Sequence, residues 1–166
     1  MSARFARFFV GALVCVYALY GNAQERVEIK EGRASVVKKD RNGRAVSATV
    51  RATAPQGAFP FTAGYRWGAE TRQPQTIVAA VELNVGHNKV FVPLSAYADL
   101  ANPVSVHLDT EKRPYRLSIE GGDASVAYEA QISFNGSFVL RRKVRNKSFP
   151  ESAWEETQYS YNTREQ

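Results

Sequence analysis

The chain has 166 residues and a mass of 18.5 kDa, and its 22 Lys and Arg against 16 Asp and Glu give a net charge of +6. Hydrophobic residues make up 44% of the chain and charged residues 23%, which is typical of globular proteins and excludes a fibrous or fully disordered chain. The length fits one domain, and nothing in the sequence supports a multidomain enzyme.

The first 23 residues have the pattern of a secretory signal peptide. Arg4 and Arg7 supply positive charge, an uncharged apolar run covers residues 8–20, and small residues lead up to Ala23. This order of features predicts a signal peptide helix over residues 1–23 that is cleaved after Ala23. A membrane anchor is the alternative, but the apolar run is shorter than the ~20 residues that a spanning helix needs. We therefore expect a secreted or periplasmic protein of bacterial origin.

Cleavage would leave a single domain over residues 24–166 without a transmembrane segment. The one methionine and the one cysteine, Met1 and Cys15, both lie in the leader, so the mature chain would hold neither a disulfide nor a thiolate metal site. A chain of this length buries about two thirds of the surface that it exposes when unfolded. We expect a hydrophobic core to provide its stability.

Downstream of the leader, short runs with apolar residues at every second position alternate with turn sequences. Apolar residues spaced two apart predict half-buried strands, and many short strands predict an all-β fold. We predict an antiparallel β-sandwich, and a barrel-like arrangement of the same strands is the alternative. Residues 94–100 are predicted to form a short helix that connects the two sheets, with Ser95 as its N-cap. The predicted strands with the clearest alternation cover residues 46–52, 77–83, 104–108, 115–119 and 126–132.

Two Asn-Gly pairs predict β-hairpins, and the apolar pattern of the flanking strands predicts their register. A three-residue loop with glycine in the left-handed region keeps the apolar side chains on one face in both hairpins. The same bulged turn is therefore predicted at residues 41–43 and at residues 134–136. The predicted registers pair Val36 with Ala48 in the first hairpin and Ile132 with Phe138 in the second.

Few residues in the sequence are suited to catalysis. His107 and Asp109 share one face of a predicted strand, as a catalytic His–acid pair would, but the other face is apolar, so we expect both to point to solvent. No nucleophile motif such as GxSxG, no P-loop and no calcium-binding loop accompanies them. Neighbouring Glu155 and Glu156 point to opposite faces of an extended chain. The sequence therefore predicts no catalytic residue, no metal site and no cofactor.

Aromatic residues give one indication of binding. Tyr65 and Trp67 share a face of an extended segment, and so do Tyr159 and Tyr161. Rigid aromatic side chains of this kind stack on sugar rings or anchor a protein partner. The alternative is that they belong to the core at the open ends of the sandwich.

Basic residues give a second indication, in two groups. One group, Arg141, Lys143 and Arg145, alternates onto a single strand face, and either group can attract an anionic partner such as a lipid head group, lipopolysaccharide or an acidic polymer. The alternative is a solvated surface that prevents strand addition at a sheet edge. Nucleic acid is not expected, because no known binding module is present. The other group surrounds the first hairpin and consists of Lys38, Lys39, Arg41 and Arg44.

These observations predict a secreted or periplasmic, non-catalytic β-sandwich that binds another protein of the cell envelope, as an accessory subunit or inhibitor. A carbohydrate- or cell-wall-binding module that uses Tyr65, Trp67 and Tyr159 is the alternative. A hydrolase with an unrecognised site around His107, Asp109 or Glu155 is kept as a second alternative. The oligomeric state is left open.

Overall fold

The computed structural model describes residues 25–55, 67–69 and 73–162. The predicted signal peptide at residues 1–23 and the predicted binding residue Tyr65 lie outside the described residues. The described part of the chain is nearly all β, and its strands form two antiparallel sheets that pack face to face. This confirms the predicted antiparallel β-sandwich. No helix in the described ranges is long and apolar enough to cross a membrane.

The two sheets have six and four strands. In chain order the strands are β1 (Val27–Glu28), β2 (Arg33–Lys39), β3 (Ala45–Thr53), β4 (Ile77–Val85), β5 (Asn88–Val90), β6 (Pro103–Asp109), β7 (Tyr115–Gly121), β8 (Tyr128–Phe134), β9 (Val139–Asn146) and β10 (Trp154–Gln158). The larger sheet has the order β1-β6-β7-β8-β9-β10 and the smaller one β2-β3-β4-β5. Most neighbours in a sheet are also neighbours along the chain.

A single apolar core lies between the sheets. The central strands contribute roughly every second side chain to this core, as the period of two requires. Burial of each large apolar side chain stabilises the fold by about 1.5–3 kcal/mol relative to exposure. The largest side chains with almost no exposed surface are Tyr115, Tyr128, Phe134, Leu83, Leu100, Leu108, Leu117, Ile119 and Ile132.

The connection between the two sheets contains the predicted short helix, but it is only one 3₁₀ turn, Leu94–Ala96. The predicted cap, Ser95, is wrong. Pro93 occupies the N-cap position and makes no side-chain capping bond, and Ser95 lies inside the turn. The Ser95 hydroxyl instead lies 3.3 Å from the hydroxyl of Tyr159. A second 3₁₀ turn, Ala124–Val126, precedes β8.

The first hairpin has the predicted register and the predicted turn. Val36 pairs with Ala48 across β2 and β3. The N–H of Gly43 donates to the carbonyl of Asp40 at 2.9 Å, and Gly43 has a φ of 76°, in the left-handed region that favours glycine. This is a type I turn followed by a glycine bulge.

The predicted register of the second hairpin is wrong. Ile132 pairs with Arg142 instead of Phe138, and the loop has four residues, 135–138. The side-chain oxygen of Asn135 accepts hydrogen bonds from the backbone N–H groups of residues 137 and 138, each at 2.8 Å, which stabilises the longer loop. The slip is by an even number of residues, so the buried face of β8 is still the predicted one.

Two bulges also break the predicted alternation. A register shift at Arg51/Ala52 buries Val78 and exposes Ala79, although the even spacing predicts the reverse. A second shift, near the start of β6, leaves Val104 exposed. The predicted inward positions at these two sites are therefore wrong, whereas the later residues of β4 and β6 face the core as predicted.

Candidate functional site

The predicted aromatic residues are integrated into the fold. Trp67 is half-buried against the core, and its backbone N–H donates to the carbonyl of Asp99 at 3.2 Å. Tyr159 is also half-buried against the core. Tyr161 donates its hydroxyl to the carbonyl of Val139 at 2.8 Å.

Tyr161 belongs to a small cluster of aromatic rings. Its ring stacks on Phe138, with ring centres 4.4 Å apart, and meets the edge of Phe91 at 6.0 Å. Phe91 is 56% exposed. The structure therefore joins Tyr161 to two phenylalanines that the sequence did not indicate, while Trp67 contacts the segment that follows the connecting turn.

The predicted basic residues of β9 point outward together, but each has a partner within the protein. Arg141 contacts Glu156 at 2.5 Å and Arg145 contacts Glu129 at 2.6 Å, both between side-chain nitrogen and oxygen. The ammonium of Lys143 lies 4.8 Å from the centre of the Trp154 ring. We call Arg141, Lys143 and Arg145 the β9 face. Its positive charge is largely compensated by neighbouring side chains.

The two carboxylates that pair with the β9 face, Glu156 and Glu129, have lowered pKa values. The hydrogen bond from Arg141 lowers the pKa of Glu156. Burial opposes ionisation of Glu129, but hydrogen bonds from Gln131 and Arg145 outweigh it and lower the pKa of Glu129. Both carboxylates are therefore ionised at neutral pH and keep their arginines paired.

Between these outward residues, Arg142 points into the sandwich with only 3% of its side chain exposed. One terminal nitrogen of Arg142 donates to both carboxylate oxygens of Asp99, at 2.6 and 2.7 Å, and the other contacts Glu155. Buried charges are paired in this way because an unpaired one is costly. The sequence did not predict this cluster, because nothing near Arg142 in the sequence indicates that Asp99 and Glu155 will lie beside it in the fold.

The residues proposed for an unrecognised hydrolase are not brought together. His107 and Asp109 lie on β6, and Glu155 lies on β10. Three strands separate β6 from β10, so these residues are about 19 Å apart across the sheet. His107 Nδ1 lies 2.9 Å from the carbonyl oxygen of Glu25.

A second basic region forms where the first hairpin meets the β6–β7 loop. The Thr110 hydroxyl donates to the carbonyl of Lys39 at 3.0 Å, and the Tyr115 hydroxyl donates to the carboxylate of Asp40 at 2.7 Å. These two bonds join one loop from each sheet at the same end of the sandwich. Lys112 and Arg113 are thereby brought next to the basic residues of the first hairpin.

Asp40 holds this junction together. One of its carboxylate oxygens accepts the backbone N–H groups of Asn42 and Arg44, each at 2.9 Å, and the other accepts Tyr115. The hydrogen bond from Tyr115 lowers the pKa of Asp40; partial desolvation opposes it, and the two backbone bonds add to it. The carboxylate is 4% exposed, so it contributes to the structure of the loop more than to its surface.

Arg113 is exposed, yet it is fixed in position. Its Nε–H donates to the Tyr115 hydroxyl at 3.2 Å, and its guanidinium carbon lies 5.5 Å from the centre of the Tyr115 ring. A terminal nitrogen lies 3.6 Å from the Asp40 carboxylate. Because 57% of the side chain is exposed, the guanidinium also faces solvent.

Of the remaining cations of this region, Arg44 contributes to the lowered pKa of Asp40, but none forms an ion pair within the described residues. Among the described residues, none of them lies within 4.0 Å of a carboxylate oxygen. The contrast with the β9 face makes this region the candidate functional site. We call it the basic end, and it consists of Lys38, Lys39, Arg41, Arg44, Lys112 and Arg113.

The basic end could be only partly foreseen. The four residues around the first hairpin were recognisable from their spacing, but the β6–β7 loop was recognisable only as a turn. Its contact with residues 40–44 depends on how the two sheets pack, which no local pattern in the sequence encodes.

Two further observations bear on the candidate site: a search for metal-binding groups and comparisons with known proteins. No group of three or more His, Cys, Asp or Glu within residues 25–55, 67–69 and 73–162 is arranged to hold a metal ion. Comparisons with protein-family models, with curated proteins and with solved structures return no significant match.

Proposed function

We propose that this protein is an exported, non-catalytic binding module that associates with an anionic partner in the cell envelope through its basic end. The observation that carries this proposal is that the cations of the two basic surfaces differ in how many are paired with carboxylates of the same protein. On the β9 face, two of the three cations are paired with carboxylates and the third lies over a tryptophan ring, whereas five of the six cations at the basic end lack an ion-pair partner within the described residues.

Unpaired cations at one end of the sandwich produce a positive potential that attracts anionic partners and accelerates encounter with them. Loops carried on a rigid scaffold are also where binding residues are most often found. At the basic end the two loops are fixed by Asp40, Tyr115 and Thr110, so little ordering of the backbone would be required on binding.

The test is retention on immobilised heparin, a uniform polyanion, with two matched variants of β2. Lys39→Glu reverses a charge at the basic end, and Arg33→Glu reverses one at the opposite end of the same strand. Both residues are exposed, and six residues of strand place them about 20 Å apart. We expect Lys39→Glu to elute at clearly lower salt than the wild type and Arg33→Glu to elute close to the wild type. Equal shifts for the two variants would contradict the proposal.

Export is tested separately. The full chain, expressed in a bacterium with a periplasm, is expected to yield a product that begins at Gln24 and is released by osmotic shock. A product that retains the leader and remains in the cytoplasm would contradict this part of the proposal.

A further inference from the structure

A pocket of about 440 Å³ lies at the basic end, between the first hairpin and the β6–β7 loop. Arg41 lines it from one sheet, and Lys112 and Arg113 line it from the other. Cationic side chains that are far apart in the sequence therefore approach one space from two directions. A volume of this size holds a small ligand group.

Arg113 is the fixed element of the pocket. The hydrogen bond from its Nε–H to Tyr115 and its packing over the Tyr115 ring use one edge and one face of the guanidinium. One terminal nitrogen lies 3.6 Å from the Asp40 carboxylate, so the other terminal nitrogen and the outward N–H groups are left for the pocket, and their position is set before any ligand arrives. A guanidinium held in this way recognises oxyanions through parallel N–H···O bonds.

The carboxylate in the pocket wall does not block an anion. Both oxygens of Asp40 already accept hydrogen bonds, from Asn42, Arg44 and Tyr115, and the carboxylate is almost completely buried. Glu111 also lines the pocket, but it is exposed and sits at the rim. Its backbone N–H donates to Asp109 at 3.0 Å, and its carboxylate forms no ion pair with the pocket cations within the described residues.

We propose that this pocket binds a phosphate group, with Arg113 as the primary contact and Lys112 and Arg41 as flanking cations. The proposal rests on the proposed function and names the chemistry of the anion that the basic end recognises. A tetrahedral phosphate presents oxygens in several directions and carries up to two negative charges, which suits cations that approach from two loops. The phosphate can be a soluble phosphomonoester or the head group of a phosphomonoester lipid.

The first experiment measures binding of inorganic phosphate to the full chain by isothermal titration calorimetry at low salt. We expect saturable binding that weakens at least ~tenfold in Arg113→Gln, since two charge-assisted hydrogen bonds are lost. Arg113→Lys keeps the charge but loses the planar fork and is expected to weaken binding as well. Arg116→Gln is the matched control, because it removes an exposed cation from β7 outside the pocket. It is expected to change affinity less than about twofold.

A positioning test keeps all charges in place. Tyr115→Phe removes the hydroxyl that accepts the Nε–H of Arg113 and is expected to weaken phosphate binding at unchanged net charge. Thermal unfolding checks that the variant is folded under the conditions of titration. Arg113→Gln leaves the bond between Tyr115 and Asp40 intact and serves as the second variant if Tyr115→Phe does not fold.

The source of the phosphate is distinguished with phosphatidylcholine vesicles that contain phosphatidic acid. Vesicle binding that inorganic phosphate displaces supports the pocket and assigns a lipid head group, and phosphate binding without vesicle binding supports the pocket and assigns a soluble ligand. Absence of saturable phosphate binding, or equal weakening in Arg113→Gln and Arg116→Gln, would overturn the pocket proposal. Heparin retention that still depends on Lys39 would then leave the proposed function standing.

Discussion

The β9 face and the basic end contain the same kinds of residues but differ in what surrounds them. On the β9 face, Arg141 and Arg145 each have a carboxylate within 2.6 Å. At the basic end, the buried carboxylate of Asp40 accepts hydrogen bonds that fix the loops. Local sequence predicts where cations lie, but whether a cation is free for a partner depends on the strands and loops that pack beside it.

The largest effect is expected at the buried cation of β9. Asp99→Asn removes one charged partner of Arg142, and we expect the free energy of unfolding to fall by about 3 kcal/mol, because a buried cation loses half of its compensation. Chemical denaturation measures this change. The control is Glu82→Gln, which removes the partner of exposed Arg51 at the same 2.6 Å separation and is expected to cost less than about 1 kcal/mol. Similar costs for the two variants would show that burial does not distinguish these pairs.

A smaller loss of stability is expected at the basic end. Tyr115→Phe removes a buried hydroxyl that donates to the Asp40 carboxylate, a hydrogen bond to a charged group, so we expect a loss of about 2 kcal/mol in the free energy of unfolding. Thr110→Val, which removes the neighbouring bond to a neutral carbonyl, is expected to cost about 1 kcal/mol. A neutral effect of Tyr115→Phe would mean that Asp40 does not need this bond to hold the two loops together.

Stability should also depend on pH through Asp40. The folded protein keeps this carboxylate deprotonated below its ordinary pKa of 3.8, because Tyr115 and two backbone N–H groups donate to it. Unfolding at low pH therefore takes up a proton, so the stabilisation is present above pH 3.8 and is lost as the pH falls through the lowered pKa. We expect the thermal midpoint of Asp40→Asn to depend less on pH than that of the wild type between about pH 5 and pH 2. Parallel pH profiles for the two proteins would contradict this assignment.

The smallest expected effect comes from removing the carboxylates that pair with the β9 face. Glu129→Gln combined with Glu156→Gln leaves Arg141 and Arg145 without carboxylates. We expect the double variant to be retained on heparin slightly more strongly than the wild type, because the β9 face would then carry free cations. The control is Glu31→Gln combined with Glu151→Gln, which removes two exposed acids that form no ion pair within the described residues and lie away from both basic surfaces. Equal gains in retention would show that net charge alone controls binding.

The parts of the fold that depend on local patterns could be predicted from the sequence. The alternation in β3 and β7 and the Gly43 turn encode burial and register directly. The second hairpin could not be predicted in detail because the side chain of Asn135 stabilises a longer loop than its Asn-Gly pair suggests. Bulges at Arg51/Ala52 and near Val104 likewise follow from how strands fit together across the sheet.

The candidate site was predictable only in part for a similar physical reason. Alternation correctly places Arg141, Lys143 and Arg145 on one outward face, but it does not reveal the carboxylates that β8 and β10 place beside them. The pocket at the basic end requires two loops from different sheets to meet, through bonds between residues more than 70 positions apart. Such contacts are determined by the packing of the sandwich as a whole.

The most direct test of the account is a titration of the ¹⁵N-labelled protein with a heparin-derived oligosaccharide, followed by amide chemical shifts. The account predicts that the largest shift changes fall on residues 38–44 and 110–116, with only small changes on residues 141–145. Changes centred on the β9 face, or spread evenly over all exposed cations, would contradict the claim that a basic surface binds anions only where its cations are not paired with carboxylates of the same protein.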